Sequence, residues 1–211
     1  MAILPLAGAS VNIDDASMNT EILIYDGFDE LDAIGPFEVL SPLGARLVTL
    51  APADVVSAHH GLALVAQGTL SEAPDLLVIP GGGWVARDER AGVYAEWLRG
   101  TIPAAIARRH AAGSVVASVC TGAMLLARAG ILEGRPAVTH HAALDDLRAA
   151  GADVRPDARW VDDGDVLTAG GVTSGIDLAL HLLERFAGTE VAQAAERLLE
   201  HRRQDATGVL V

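Results

Sequence analysis

The segment Ser118-Val-Cys-Thr-Gly122 carries the only cysteine of the chain. An apolar run, Ser114-Val-Val-Ala-Ser-Val119, leads into it, and helix-forming residues, Gly122–Ala129, follow at once. Ser118 and Gly122, two positions either side of Cys120, are small, as a sharp strand-to-helix turn requires where backbones crowd. The logic is that of the G-x-S-x-G nucleophile elbow, with sulfur in place of oxygen. Such a turn exposes the nucleophile and aims the first N–H groups of the helix at it. Cys120 is therefore expected to be a reactive thiolate with a lowered pKa. On periodicity alone, a buried structural cysteine stays open as the other reading.

Two more segments have residue types suited to the same chemistry. Ile79-Pro-Gly-Gly-Gly83 follows a continuous apolar run. Consecutive glycines there let backbone N–H groups of Gly81 and Gly82 approach a ligand and steady a developing negative charge. Asp32, in Leu31-Asp-Ala-Ile-Gly-Pro36, is flanked by apolar residues just beyond the first strand. A carboxyl there can hold or shuttle a proton in a cleft. A helix-capping or surface Asp is the plainer reading of that residue, and an ordinary loop that of the glycines.

The elements that must position these residues alternate. Glu21–Tyr25, Arg46–Ala51, Asp75–Ile79 and Ser114–Val119 read as strands. Trp160-Val161 and Val166–Ala169 flank Asp163-Gly164 as a hairpin. Glu30–Leu40 reads as a helix, with Pro36 suited to the first turn of the helix it introduces. Gly92–His110 reads as helical with a break at Pro103, and Gly122–Ala129, Leu144–Ala150, Ile176–Phe186 and Val191–Arg203 follow. Ala137–Thr139 is a further strand candidate. Alternating strands and helices predict a mostly parallel sheet covered on both faces. Ligands in such sheets gather at the carboxyl ends of the strands, where all three segments fall.

The chain has 211 residues, enough for one domain with a sizeable core. With 4% aromatic residues, that core must be built mainly from Ala, Val, Leu and Ile. Residues 1–19 read as an extension ahead of a single domain spanning 20–211. The formal net charge of -13 opposes a nucleic-acid partner and an anionic membrane surface. No apolar run approaches bilayer length, and the N-terminus lacks the basic region of a signal peptide. A single cysteine cannot form an internal disulfide, which fits a reducing cytoplasm.

Taken together, these motifs resemble the DJ-1/PfpI superfamily from about Thr20 to about Arg203, and within it the isonitrile (isocyanide) hydratase branch. The matching pieces are Leu31–Pro36, Ile79–Gly82, Ser118–Gly122, Ala129-Gly130, Leu132–Arg135, Thr139-His140, Leu167–Gly171 and Gly175–Asp177. The resemblance implies a flavodoxin-like, class I glutamine-amidotransferase-like three-layer α/β sandwich and a homodimer. It implies a cysteine-dependent hydratase acting on a small isocyanide without metal or organic cofactor. Cys120 would be the nucleophile, Asp32 the proton carrier, and Thr121 a catalytic residue through its hydroxyl and backbone N–H. Members with a protease-like site place a histidine directly after the cysteine; here Thr121 follows. Deglycase-type members carry a Glu where Asp32 stands.

The same scaffold supports a glyoxalase- or deglycase-like enzyme on small aldehydes. It also supports a redox-responsive protein in which Cys120 is oxidised without turnover. A small-molecule sensor is a third possibility. The superfamily-like sensor half of AraC-type regulators continues into a helix-turn-helix region, for which the chain after Arg203 leaves no room. His140, Gly170, Gly171 and Trp84 are candidate pocket residues, Trp84 being equally a candidate dimer contact. His141 is expected either near the cleft or in solvent, and His59 and His60 in a loop without a visible partner. No spacing makes a metal site, and Asp162–Asp165 reads as a solvated hairpin rather than a calcium loop.

Overall fold

A computed structural model describes residues 18–53, 55–204 and 208–210. Its frame is an eight-stranded sheet built on the apolar runs. Four strands form its centre: β1 (Thr20–Leu23), β6 (Leu76–Ile79), β7 (Val115–Ser118) and β11 (Val166–Ala169). Strands buried on both faces need near-continuous apolar sequence, which is what these runs supply. On one side, β2 (Arg46–Thr49) and β5 (Gly68–Thr69) continue the sheet; on the other, β10 (Trp160–Asp163) and β12 (Gly208–Leu210) do. The order is β12-β10-β11-β7-β6-β1-β2-β5, and only the β10–β11 hairpin is antiparallel.

The helices fall into two groups. Helices α1 (Glu30–Val39), α6 (Ser174–Ala187) and α7 (Thr189–Leu199) pack on one another; α2 (Gly92–Arg99), α3 (Thr101–Ala111) and α4 (Gly122–Arg128) form the second group, joined by α5 (Leu144–Ala149). The core is mainly aliphatic, with Ile22, Leu77, Ile79, Leu125 and Leu126 fully buried and Phe28 the largest of the fully buried side chains. Two small ribbons sit outside the main sheet. One is the β3–β4 hairpin (Val56–Ser57, Ala63–Leu64); the other pairs β8 (Pro136–Ala137) with β9 (Asp153–Val154).

Several expectations shift. Pro36 lies well inside α1, which starts at Glu30 with Asp29 Oδ1 accepting from Leu31 N–H at 3.1 Å. The Asp29 cap sets the start, so Pro36 falls in the second turn, where it supplies no N–H to the helix ladder. The 92–111 stretch breaks at Gly100, whose φ of 74° ends α2. Pro103 instead sits in the first turn of α3, where its missing N–H leaves nothing unpaired. Residues 1–17 of the expected extension lie outside the described residues. Asn19 belongs to the fold, its backbone N–H donating to Asp75 Oδ2 at 2.7 Å.

Candidate active site

Cys120 stands between β7 and α4 with φ of 55°. A side chain other than glycine pays strain to stay there, and only a backbone held from several sides keeps it. The Cys120 N–H donates to the carbonyls of Ala169 (3.1 Å) and Gly170 (2.8 Å), and its own carbonyl accepts from Thr139 Oγ1 at 2.8 Å. Val119 N–H reaches Ile79 O at 3.0 Å. A Cβ on Gly122 would lie 2.3 Å from Ile79 O, so the small flank is a steric requirement of this turn.

Asp32 is fully buried at the third position of α1. An acid there commonly reaches back to the N–H of the cap residue. Here the Asp29 N–H donates to Gly81 O at 2.8 Å instead, and Asp32 Oδ2 accepts from Gly81 N–H at 2.9 Å. The carboxyl is thereby released from the helix end and held to the glycine loop. Its other oxygen, Oδ1, is buried without a hydrogen bond of good geometry. The Cys120 thiol lies close enough to bond the carboxyl, a contact that favours its charged form.

The glycine loop works differently from the sequence expectation. Gly81 N–H is spent on Asp32, and Gly82 N–H donates to Thr121 Oγ1 at 3.0 Å. Neither is a free donor for an anion. The N–H groups that bond Cys120 and favour its charged form belong to Thr121 and Val172. Nothing in the sequence marks Val172, because a main-chain donor carries no side-chain signature. The glycines are needed for closeness. A Cβ on Gly81 would lie 2.6 Å from Thr121 N, 2.7 Å from Thr121 Oγ1 and 2.9 Å from Asp32 Oδ2.

The electrostatics also correct an expectation. Burial first, and then the Asp32 charge, push the Cys120 thiol up to about 12, against the pull of the Thr121 and Val172 N–H groups. The start of the seven-residue α4 does not outweigh that desolvation. Burial, with Asp29 adding to it, pushes Asp32 up to about 8. At neutral pH the carboxyl therefore holds a proton beside the sulfur. Tyr25 lies beneath the pair, its hydroxyl donating to Pro80 O at 2.6 Å. Burial and the neighbouring Asp32 raise its pKa well above the ordinary tyrosine value.

A cleft of about 670 Å³ is lined by Asp29, Glu30, Leu31, His60, Leu62 and Val172. Cys120 and Asp32 are not in that lining; Val172, whose N–H bonds Cys120, is the residue the cleft shares with the elbow. The Glu30 carboxylate accepts from the N–H groups of His60 (2.7 Å) and Leu62 (3.4 Å) and pairs with His60 Nδ1 at 2.7 Å, so His60 does have a partner. Ligand atoms of Asp29, Glu30 and His60 lie within 4.8 Å of one another, each engaged inside the protein. A Cβ on Gly171 would stand 3.3 Å from the ring of His140, whose Nδ1 accepts from Ala142 N–H. Burial lowers the His140 pKa. His141 is exposed and, with Gly170, Gly171 and Arg159, borders a separate cavity of about 280 Å³. Trp84 is buried edge-on against Tyr94 and Trp97, and its indole N–H donates to Asp146 at 2.6 Å.

A doubly covered, mostly parallel sheet with a cysteine on a strained strand-to-helix turn and an acid facing it defines an α/β protein of the nucleophile-elbow kind. The chain belongs to the DJ-1/PfpI family, whose pattern it matches over residues 19–185. It is 37% identical over 183 residues to an isonitrile hydratase of Pseudomonas putida, covering 85% of this chain and 76% of that one. A deglycase of Pyrococcus abyssi is 29% identical over 167 residues, 75% of this chain and 90% of its own. A crystal structure of a ThiJ/PfpI family protein from Pseudomonas syringae superposes with a TM-score of 0.81 at 28% identity, covering 96% of this chain and 85% of that one.

Proposed function

We propose that the protein is a cysteine-dependent hydratase that converts an isocyanide to an N-substituted formamide. The observation that carries this reading is the buried Asp32 carboxyl, pushed up to about 8 and set against the Cys120 thiol. The terminal carbon of R–N≡C must gain a proton before it accepts a nucleophile readily, and a carboxyl still protonated at neutral pH is suited to give one. The similarity to an isonitrile hydratase supports the same choice.

In the first step Asp32 transfers its proton to the terminal carbon while the Cys120 sulfur bonds to that carbon. The thiol proton passes to the Asp32 carboxylate. The product is a thioimidate, R–N=CH–S–Cys120, with Asp32 protonated again. In the second step Asp32 protonates the imine nitrogen and then accepts a proton from the water that attacks the carbon. Collapse of the tetrahedral adduct expels the sulfur, which takes the hydroxyl proton, and R–NH–CHO leaves. Covalent capture divides a difficult addition into two easier ones. The N–H groups of Thr121 and Val172 steady charge on the sulfur in both steps, and the Thr121 hydroxyl orients Asp32 or the water. The scheme calls on no metal or organic cofactor.

The raised thiol disfavours a redox-responsive role, since oxidation needs thiolate character. An aldehyde enzyme remains the competitor drawn from the same scaffold. We also assign the protein to the cytoplasm, as a homodimer. Four of its exposed large apolar side chains, Leu31, Val55, Leu62 and Val65, stand on α1 and around the β3–β4 hairpin, where a second copy would cover them. Among the described residues no helix is long and apolar enough to cross a membrane.

The experiment is incubation of the purified protein with an alkyl isocyanide, with formamide followed by mass spectrometry, beside Cys120→Ala and Asp32→Asn. Turnover in the wild type and loss of at least about 100-fold in each variant is expected. Turnover surviving Cys120→Ala would sink the covalent route. An inactive wild type that turns over small aldehydes would transfer the assignment to the aldehyde enzyme.

A further inference from the structure

Asp29 lines the cleft, caps the helix that presents Asp32, and carries a charge that reaches four of the titratable groups around it. It is half-buried at the start of α1. Glu30 lies beside it, and Asp32 one turn along the same helix. His60 faces it from the β3–β4 hairpin, Cys120 from the elbow and His140 from the loop after β8; the negative charge of Asp29 acts on Asp32, His60, Cys120 and His140 alike. Tyr25, buried and within reach of the Asp32 charge, bonds the Pro80 carbonyl. The backbone of Asp29 is part of the same assembly, since its N–H holds the Gly81 carbonyl while Gly81 N–H holds Asp32. A Cβ on Gly82 would meet Asp29 N at 2.5 Å, which shows how tightly the cap residue and the glycine loop are pressed together.

We propose that Asp29 is a positioning residue for the Asp32–Cys120 pair: it caps the helix that presents Asp32, holds the Gly81 carbonyl through its own N–H, and sets its side chain on the cleft wall one helical turn from Asp32. The inference rests on the hydratase reading for its kinetic consequence only. Two carboxyl groups one helical turn apart on one helix repel each other when both are charged, and the deeper one keeps its proton. Asp32 at the third position of α1 would otherwise be drawn toward ionisation by the helix N-terminus. Asp29 offsets that pull. Activity that needs protonated Asp32 is present below its pKa and falls as pH rises through it. Removing the Asp29 charge therefore moves the descending limb of the pH profile to lower pH.

The test is Asp29→Asn, which caps a helix as well as Asp does. Two readouts are measured against pH: hydration of an alkyl isocyanide, and alkylation of Cys120 by iodoacetamide, which needs no turnover. The descending limb of hydration is expected to move down by roughly 0.5 to 1 pH unit, and the rising limb of alkylation to move down with it. Asp29→Glu restores the charge and should return both limbs toward the wild-type positions. If the wild type shows no hydration but the alkylation limb moves, the hydratase reading falls and the role of Asp29 stands. If both limbs stay in place in Asp29→Asn, or if a fall in activity occurs at all pH values without a shift, Asp29 is only a structural cap and the inference is overturned.

Discussion

A carboxyl that keeps its proton near neutrality links stability to pH, and Asp32 does so in a direction opposite to most acids. Its pKa rises from 3.8 to about 8 on folding. Below pH 3.8 both states carry the proton and the contribution is fully present. Between there and about 8 the unfolded chain has released the proton and the native chain has not, so stability falls steadily with rising pH; above about 8 the loss is complete. The acids with lowered pKa values, Asp88, Asp162, Asp165, Glu30 and Glu184, titrate at or below the ordinary carboxylate range, whereas His60, raised, and His140, lowered, also change within this window, so Asp32 is isolated by the difference between wild type and variant. Asp32→Asn should therefore be more stable than the wild type at pH 7 by a few kcal/mol, on the order of 3, with the gap closing toward pH 4. Urea denaturation at several pH values measures it. A gap independent of pH would show that Asp32 is charged in the folded state. The same residue then illustrates a trade of stability for a usable proton.

At the scale of elements, the central strands were legible because β6 and β11 are short apolar runs stopped by Pro80 and Gly170, while β1 and β7 run on to Asp26-Gly27 and to the small residues of the elbow. The elbow was legible because small residues flank Cys120 at both sides. Less visible were β3, β4 and β5, two residues each and partly polar, and β12, which pairs with β10 from far along the chain. The glycine loop was found, but its task was misread: its N–H groups look available until Asp32 and the Thr121 hydroxyl are seen to use them. The thiol was expected to be acidic because a helix start is visible in sequence while the burial that outweighs it is not. Asp177, legible only as part of a motif, joins elements directly. Fully buried in α6, it accepts from Arg159, pairs with His201 Nε2 at 2.6 Å and accepts from Gln204 N–H at 3.4 Å. It thereby ties α6 both to the approach to β10 and to the segment after α7. Asp177→Ala leaves the half-buried Arg159 head without its carboxylate and strips a fully buried acceptor from His201 and Gln204, and should cost about 3 kcal/mol, seen as a lower urea midpoint. An unchanged midpoint would mean that solvent replaces the carboxylate freely.

The whole molecule carries a formal charge of -13, so any two copies repel each other. Association must then come from apolar surface. The exposed Leu31 and Leu62 line one cleft, and Val55 and Val65 flank the paired residues Val56 and Leu64 of the hairpin. The hairpin is fixed to α1 through Glu30, which keeps Leu31 and Leu62 beside one another, and the proposed face extends from them to Val55 and Val65. A face held together by dispersion and desolvation, between bodies of like charge, has a definite salt signature. Raising ionic strength shortens the screening length from about 10 Å at 0.1 M to about 3 Å at 1 M, which weakens the repulsion and leaves apolar contact intact. The proposed dimer should therefore tighten as sodium chloride rises from low to high concentration. Leu62→Asp and Val65→Asp, each placing one more negative charge in the face, should give monomers whose fold is unchanged by circular dichroism. Light scattering across a salt series decides between the possibilities. A dimer that weakens with salt would be one built on ion pairs, on some other face, and a dimer untouched by both substitutions would place the contact away from the hairpin.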